Sequence, residues 1–449
     1  MTQQINARKH FSLFLLLGMS LGLMYLFFLN PHVDVKPFNA DDSVAYLNRA
    51  KSLWEGHGYG ESFVDAFFPV TLQPPAFSLL LAPLVGIFGM NFIVLKLFML
   101  LLTILMAISS FIYFRHFLHS QTEVNSAMLL LMASPVIFGL SHQVLAEIPL
   151  FLFCMLGLVT LDRYLQTSVR IFSPVLFFSA LLIATAYFFK ATALGVLAGG
   201  WMLILHPKFQ TLGTFKKLLL CSVLVFIPIL FWQAWCSTIP KTNFWTQPAW
   251  ADILMVNPYQ AGSPRASLAD LAVRMRHNLA WGLSANIAMG LMAPFYFAQG
   301  GVLSFVLSLP IVLWLLGSWV KSLVQKPSVL EGFTLFSIFI LMIKFEGMAV
   351  RYAALLYPVL LVYVFRGFNA NMNAKLQTLV PQVLSVVAIV TTLVVAVDHW
   401  NNPYGGKIVR DYISVAQKAK AIFPPHSRCY APMGSHWQVL TEHLCFISG

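Results

Sequence analysis

The sequence predicts an all-α polytopic membrane protein, and three observations carry that reading. Of 449 residues, 59% are hydrophobic and 10% charged, with a mean hydropathy of +0.77, far from the balance of soluble domains. Leu, Ile, Val and Phe fill unbroken runs near the ~20 residues that cross a hydrocarbon core, which excludes a coiled coil or a disordered chain. The 5 Cys are scattered over the whole length, so no disulfide framework organises the chain.

Candidate spans, about eleven, lie at 11–29, 91–114, 124–140, 145–161, 173–189, 191–205, 218–236, 300–320, 329–345, 352–365 and 378–397. The first follows Arg8, Lys9 and His10 and ends at Asn30-Pro31 with no small-x-small cleavage site, as expected of a retained anchor. With a cytoplasmic N-terminus, the inner junctions carry Arg8 and Lys9, Arg115, Arg163 and Arg170, Lys208, Lys216 and Lys217, Lys321 and Lys326, and Arg366 and Lys375. All are basic, as the positive-inside rule requires, and an odd number of spans puts the C-terminal tail outside. The stretch from Pro75 to Phe88 is too short to cross and reads as a helix at, or dipping into, the outer face; a short extra span is the alternative. Pro149, Pro228, Pro310 and Pro358 fall within or at the ends of spans, as kinks that neighbouring helices accommodate. Trp232, Trp235, Trp245, Trp250 and Trp281 gather near the outer boundary and read as an interfacial belt. The chain therefore divides into a membrane unit, 1–397, with long outer loops at 30–90 and 237–299, and a small outer-face tail, 398–449.

The formal charge of +12 is accounted for by the inner junctions, so it does not call for nucleic acid. The sequence holds no zinc-ligand spacing, Walker-type loop or dinucleotide fingerprint, and nucleotide-driven chemistry is not expected. Inside the spans ionisable residues are scarce, Lys96 being the main exception, whereas the outer turns carry Asp41, Asp42, His142, Glu147, Lys190, Lys344, Glu346 and Arg351. Transporters tend to bind at the bilayer midplane between related halves; this distribution instead puts the chemistry at the outer face.

The first outer segment runs Phe38-Asn-Ala-Asp41-Asp42-Ser-Val-Ala-Tyr46-Leu-Asn-Arg49-Ala50-Lys-Ser-Leu53-Trp54-Glu-Gly56-His-Gly58-Tyr59. Asp41 or Asp42 caps a helix whose apolar positions Val44, Leu47, Ala50, Leu53 and Trp54 follow helical spacing, and Gly56 stops it. On spacing alone this is an amphipathic surface helix whose carboxylates serve the helix dipole.

The order of motifs adds to that reading. The Asp41-Asp42 pair, Tyr46-x3-Ala50-x2-Leu53, Gly56-His-Gly58-Tyr59, Gln73-Pro74-Pro75 and Phe88-Gly89-x-Asn91 are followed by Glu147, by Phe189-Lys190-Ala-Thr-Ala-Leu-Gly195 and by Arg351-Tyr352 with Pro358. Over residues 1–366 this series resembles the C-type (GT-C) membrane glycosyltransferases that take sugars from polyprenyl phosphates, among them aminoarabinose transferases of lipid A and protein O-mannosyltransferases. One difference is local: Gln73 precedes the proline pair where the aminoarabinose branch carries Glu-Lys-Pro-Pro.

The resemblance implies a GT-C-like fold with juxtamembrane helices in the first outer loop. It implies transfer of a sugar from a polyprenyl-phosphate donor to a glycan, lipid or protein acceptor, with inversion at C1, at the outer face of the inner membrane. Lys190 and Arg351 would then stabilise the donor phosphate, although either also fits interfacial snorkelling. Asp41, by its place in the acidic pair, would take the acceptor's proton; Asp42 is the near-equal alternative and would otherwise hold the acceptor or a divalent cation, the only cofactor left open. Glu147 would orient the acceptor, or simply cap a helix before Pro149. Tyr46, His142 and Glu346 are supporting candidates. A lipid or glycan transporter, and an envelope glycan polymerase or ligase, are the competing readings. The 237–299 loop, with Lys241, Arg265, Arg274 and Arg276, would form a lid over the donor or face anionic headgroups. Cys429 and Cys445 could pair in an oxidising compartment, whereas Cys154, Cys221 and Cys236 read as packing residues.

Overall fold

The computed structural model describes residues 42–61, 67–141, 143–167, 170–241, 246–247, 251–258, 263–282, 302–325, 327–344, 350–371, 428–431 and 444–447, with isolated positions between 376 and 422. Helix α1, Asp42–Trp54, leads through an antiparallel pair of two-residue strands, β1 Gly60–Glu61 and β2 Phe68–Pro69, to α2, Ala76–Phe88. Gly56 ends α1 at φ +79, a left-handed conformation that a side chain would oppose. The long helices then begin. Asn91 caps α3, Phe92–Phe117, by accepting from the Ile93 and Val94 N–H groups. Ser120 and Glu123 form a capping box for α4, Gln121–Met132.

A break at Ala133 and Ser134 separates α4 from α5, Pro135–Ser141, so the expected 124–140 span is two helices. The reason is local: Pro135 has no N–H to continue the α4 ladder, and it suits the first turn of a new helix. Next come α6, Glu147–Thr167, and α7, Pro174–Phe189, capped by Ser173 with Pro174 at its start. A 3-10 turn leads into α8, Leu194–Met202, and Thr211 caps α9, Leu212–Ser237. The long loop contributes α10, Ala251–Leu254, and α11, Leu268–Trp281, the latter with a Ser267–Asp270 capping box. Helices α12, Val302–Gln325, and α13, Val329–Ile343, are followed by α14, Val350–Ala353, a 3-10 turn and α15, Tyr357–Asn371. In the tail, β3 Arg428–Ala431 and β4 Leu444–Ile447 pair in parallel, with Cys429 opposite Cys445.

Four described helices are long and apolar enough to cross a membrane: Ile93–Phe117, Glu147–Gln166, Leu212–Ser237 and Ser308–Gln325. Three of them expose Leu97, Leu101, Leu219, Val223, Leu230, Leu313 and Leu316 on one side, the pattern of helices whose outer faces meet lipid, while Glu147–Gln166 is mostly buried among its neighbours. The chain is an integral membrane protein with a helical core. The expected 11–29 span lies outside the described residues.

Small residues let the inner helices approach. A Cβ at Gly199 of α8 would sit 2.5 Å from the Val329 carbonyl, and one at Gly332 of α13 would sit 2.6 Å from that of Gly199, so these glycines set the contact between the two helices. Helix α1 departs from the expected surface helix. Val44, Leu47 and Ala50 are buried as the spacing predicts, but so are Ser43, Asn48, Arg49 and Ser52, because α2 and the hairpin cover the polar side; Trp54 is exposed. Helix α2 buries Phe77, Leu81 and Val85 and exposes Leu79, Leu80, Ile87 and Phe88. Its 13 residues span about 20 Å at 1.5 Å each, short of a hydrocarbon core.

Polar side chains collect at both ends of the bundle. At one end His116 and Asp162 meet at 2.7 Å, Asp162 accepts from the Val329 N–H at 3.0 Å, and Arg366 pairs with Glu331 at 2.8 Å. Arg366 also reaches Ser322 and the Phe117 carbonyl, and Glu331 accepts from Ser328. The opposite ends of α6 and α13 carry Glu147 and Lys344.

Candidate active site

The site forms where five chain segments end. Asp42 opens α1, Gln73 precedes α2, Glu147 opens α6, Lys190 closes α7, and Lys344 and Arg351 lie between α13 and α15. Arg351 Nη1 stands 2.7 Å from Asp42 Oδ2, while Gln73 Nε2 donates to Asp42 Oδ1 at 3.1 Å. Lys190 Nζ donates to Glu147 Oε1 at 2.5 Å. The two pairs meet at Tyr352. Its ring centroid lies 3.8 Å from Lys344 Nζ, 5.0 Å from Lys190 Nζ and 4.9 Å from Arg351 Cζ, within cation–π range. Arg351 also donates to Tyr352 Oη at 3.0 Å.

Behind Asp42 lies a buried layer. Arg49 donates through Nη1 to Gln73 Oε1 at 2.5 Å and through Nε to Glu61 Oε1 at 2.7 Å. Tyr59 Oη donates to the Gln73 carbonyl at 3.0 Å. Tyr46 is fully buried, its ring edge-on to Phe77 at 5.0 Å. Among the described residues Tyr46 Oη and Glu147 Oε2 are buried and lack a hydrogen-bond partner, an expensive state for polar atoms.

The charges shape one another. Burial works against the Asp42 carboxylate, but Arg351, Lys190, the Gln73 amide and Arg49 outweigh it and hold its pKa below the usual value. Burial likewise opposes the Arg351 charge, and Asp42, Tyr352 and Glu147 more than restore it. Burial, then Asp42 and Glu147, push the Tyr46 phenol well above its usual pKa, so it keeps its proton. Lys190 and Arg351 pair with Glu147 and Asp42, and Lys344 stands over the same Tyr352 ring.

The structure thus brings together Asp42, Tyr46, Glu147, Lys190 and Arg351 of the sequence-predicted set, while Asp41, His142 and Glu346 lie outside the described residues. Sequence reasoning missed Gln73, Arg49 and Glu61 as neighbours of Asp42, and Lys344 as a third cation; the one signal for Lys344 was its outer turn shared with Arg351. Both Asp42 oxygens accept, Oδ1 from the Gln73 amide and Oδ2 from Arg351. Among the described residues no three His, Cys, Asp or Glu side chains cluster. The long loop touches the same region: Asn278 of α11 donates to the Met342 and Lys344 carbonyls at 2.8 and 2.9 Å, and Thr71 donates to the Gln247 carbonyl at 3.1 Å.

The architecture matches crystal structures of ArnT from Cupriavidus metallidurans. The match to the form bound to undecaprenyl phosphate has a TM-score of 0.62 at 12% identity, over 97% of this chain and 86% of that one. The apo form matches with a TM-score of 0.52 at 13% identity, over 99% and 86%. The chain has the C-type membrane glycosyltransferase fold. An oligosaccharyltransferase from Archaeoglobus fulgidus, in complex with Zn and sulfate, shares this fold with a TM-score of 0.56 at 11% identity, over 95% of this chain and 62% of that one. No protein-family model and no curated protein matches the sequence. At such identities the likeness carries the fold, and the chemistry has to come from the site.

Proposed function

We propose that the protein is a glycosyltransferase that moves a sugar from a polyprenyl-phosphate donor to a hydroxyl or amine acceptor at the outer face of the inner membrane. The observation that carries this reading is the convergence of Lys190, Lys344 and Arg351 on Tyr352, beside Asp42 and Glu147. A sugar joined through C1 to a lipid phosphate is a monoanion, and the cations gathered at Tyr352 suit it. The basic residues Arg163, Lys217 and Arg366 belong to the opposite end of the bundle, which supports an outward-facing site with a cytoplasmic N-terminus.

In the reaction, the donor phosphate competes for Arg351 and Lys190 and releases their carboxylates. The acceptor oxygen or nitrogen attacks C1 as the C1–O bond to phosphate breaks, inverting C1. The bonding pair leaves with the phosphate, which becomes a monoester of higher negative charge held by the cations. The acceptor's proton passes to one of the acidic pair, Asp42, which stands in the site, or Asp41, which precedes it in the sequence. Glu147, through its unpartnered Oε2, accepts a hydrogen bond that orients the acceptor, and Tyr46 stands buried near both carboxylates.

Undecaprenyl phosphate binding to the purified protein, followed by native mass spectrometry, tests the phosphate site. Lys190→Ala and Arg351→Ala should each weaken binding about tenfold or more, the size of a lost charge-assisted contact. Equal binding by wild type and both variants would contradict the reading.

A further inference from the structure

We infer that Gln73, held by Arg49 and Glu61, is a positioning residue that clamps one oxygen of Asp42 and leaves the other, Oδ2, as the oxygen that works. The inference rests on the function proposed above for the significance of Asp42, but its chemistry stands on the hydrogen bonds alone. A guanidinium donates and cannot accept, so the Gln73 atom beside Arg49 Nη1 is the amide oxygen and the atom beside Asp42 Oδ1 is the NH2 group. Arg49 therefore fixes which way the amide points.

The clamp is held from its side chain and its backbone. Arg49 and Glu61 are 0% and 1% exposed and 2.7 Å apart. A buried pair of this kind gains little net stability, but removing either partner strands the other. The backbone of Gln73 is tied by Tyr59, which donates to the Gln73 and Pro74 carbonyls at 3.0 and 3.2 Å, and Pro74 and Pro75 stiffen the chain that follows.

Both partners of Asp42 are donors. A proton on Oδ1 would oppose the Gln73 NH2 group, and a proton on Oδ2 would oppose the Arg351 guanidinium, so the carboxylate stays ionised until Arg351 moves. When Arg351 turns to an incoming phosphate, Oδ2 becomes the open oxygen while Gln73 keeps Oδ1 in place. Gln73 thus decides where a proton arrives, without touching substrate. Among the described residues, Lys190 at the end of α7 and Arg49 on its own helix also act on the Asp42 charge, and Tyr46 on that helix feels both Asp42 and Glu147 of α6.

The test needs no sugar lipid. The full-length protein in lipid nanodiscs is titrated by infrared difference spectroscopy, and the Asp42 band is identified as the one lost in Asp42→Asn. In Gln73→Met the donor is gone, and Asp42 should bind a proton about tenfold more tightly than in wild type. In Gln73→Glu two carboxylates face each other and must share a proton, so the affinity should rise about a hundredfold. The inference is overturned if the Asp42 band titrates alike in all three proteins, including the case where only their unfolding temperatures differ. If Gln73→Met does not fold, Gln73→Glu alone decides. A negative result here leaves the phosphate-binding test untouched, and a failure of that test leaves this one intact.

Discussion

Asp42 accepts from Gln73 and Arg351, and this sets how its charge answers to pH. Its native pKa lies below the ordinary value, so the pairing stabilises the fold fully above the ordinary carboxylate range and loses that contribution as pH falls through the native midpoint. Asp42→Asn should therefore cost roughly 1–2 kcal/mol near neutral pH, with the gap to wild type closing in strong acid; chemical unfolding across pH measures it, and a gap constant with pH would refute the pairing. Glu147, Lys190 and Arg351 could be picked out in the sequence because each sits in a short segment at the mouth of an apolar run. Their partners could not. Gln73 and Arg49 lie 24 positions apart, and Arg49 and Glu61 lie 12 apart, with no periodicity linking them. Only folding brings the hairpin under α1.

Among the elements, the boundaries of α1 were legible: acidic residues before a helical pattern, then a glycine that takes a positive φ. Its burial was not, since the covering helix α2 reads in isolation as a surface segment. The 124–140 run was apolar throughout, and hydropathy alone hid the start of a new helix at Pro135. The tightest contact is the crossing of α8 and α13 at Gly199 and Gly332, where added side chains would press on backbone. Gly332→Leu should lower stability by about 1–3 kcal/mol or more, whereas Gly317→Leu, at a position with nothing within 4 Å, should change little. Thermal unfolding in detergent distinguishes them; equal effects would mean that the crossing is looser than described.

Over the whole molecule, α6 runs from Glu147 in the site to Asp162 in the opposite cluster, about 22 Å at 1.5 Å per residue. That separation keeps the cationic site at one end of the helical core and the His116–Asp162 and Arg366–Glu331 network at the other. Composition made the membrane class plain, and the positions of the charged residues pointed to the ends of spans. The proposed sugar and acceptor would be selected by the shape of their site, which sequence spacing does not encode. The central claim is that this site consumes a polyprenyl-phosphate sugar. Mass spectrometry of lipid extracts tests it most directly, comparing cells that carry wild type with cells that carry the Asp41→Asn, Asp42→Asn double variant at equal membrane levels. The account predicts that a polyprenyl-phosphate sugar accumulates in the variant, its mass naming the sugar class; lipid profiles that match would contradict it.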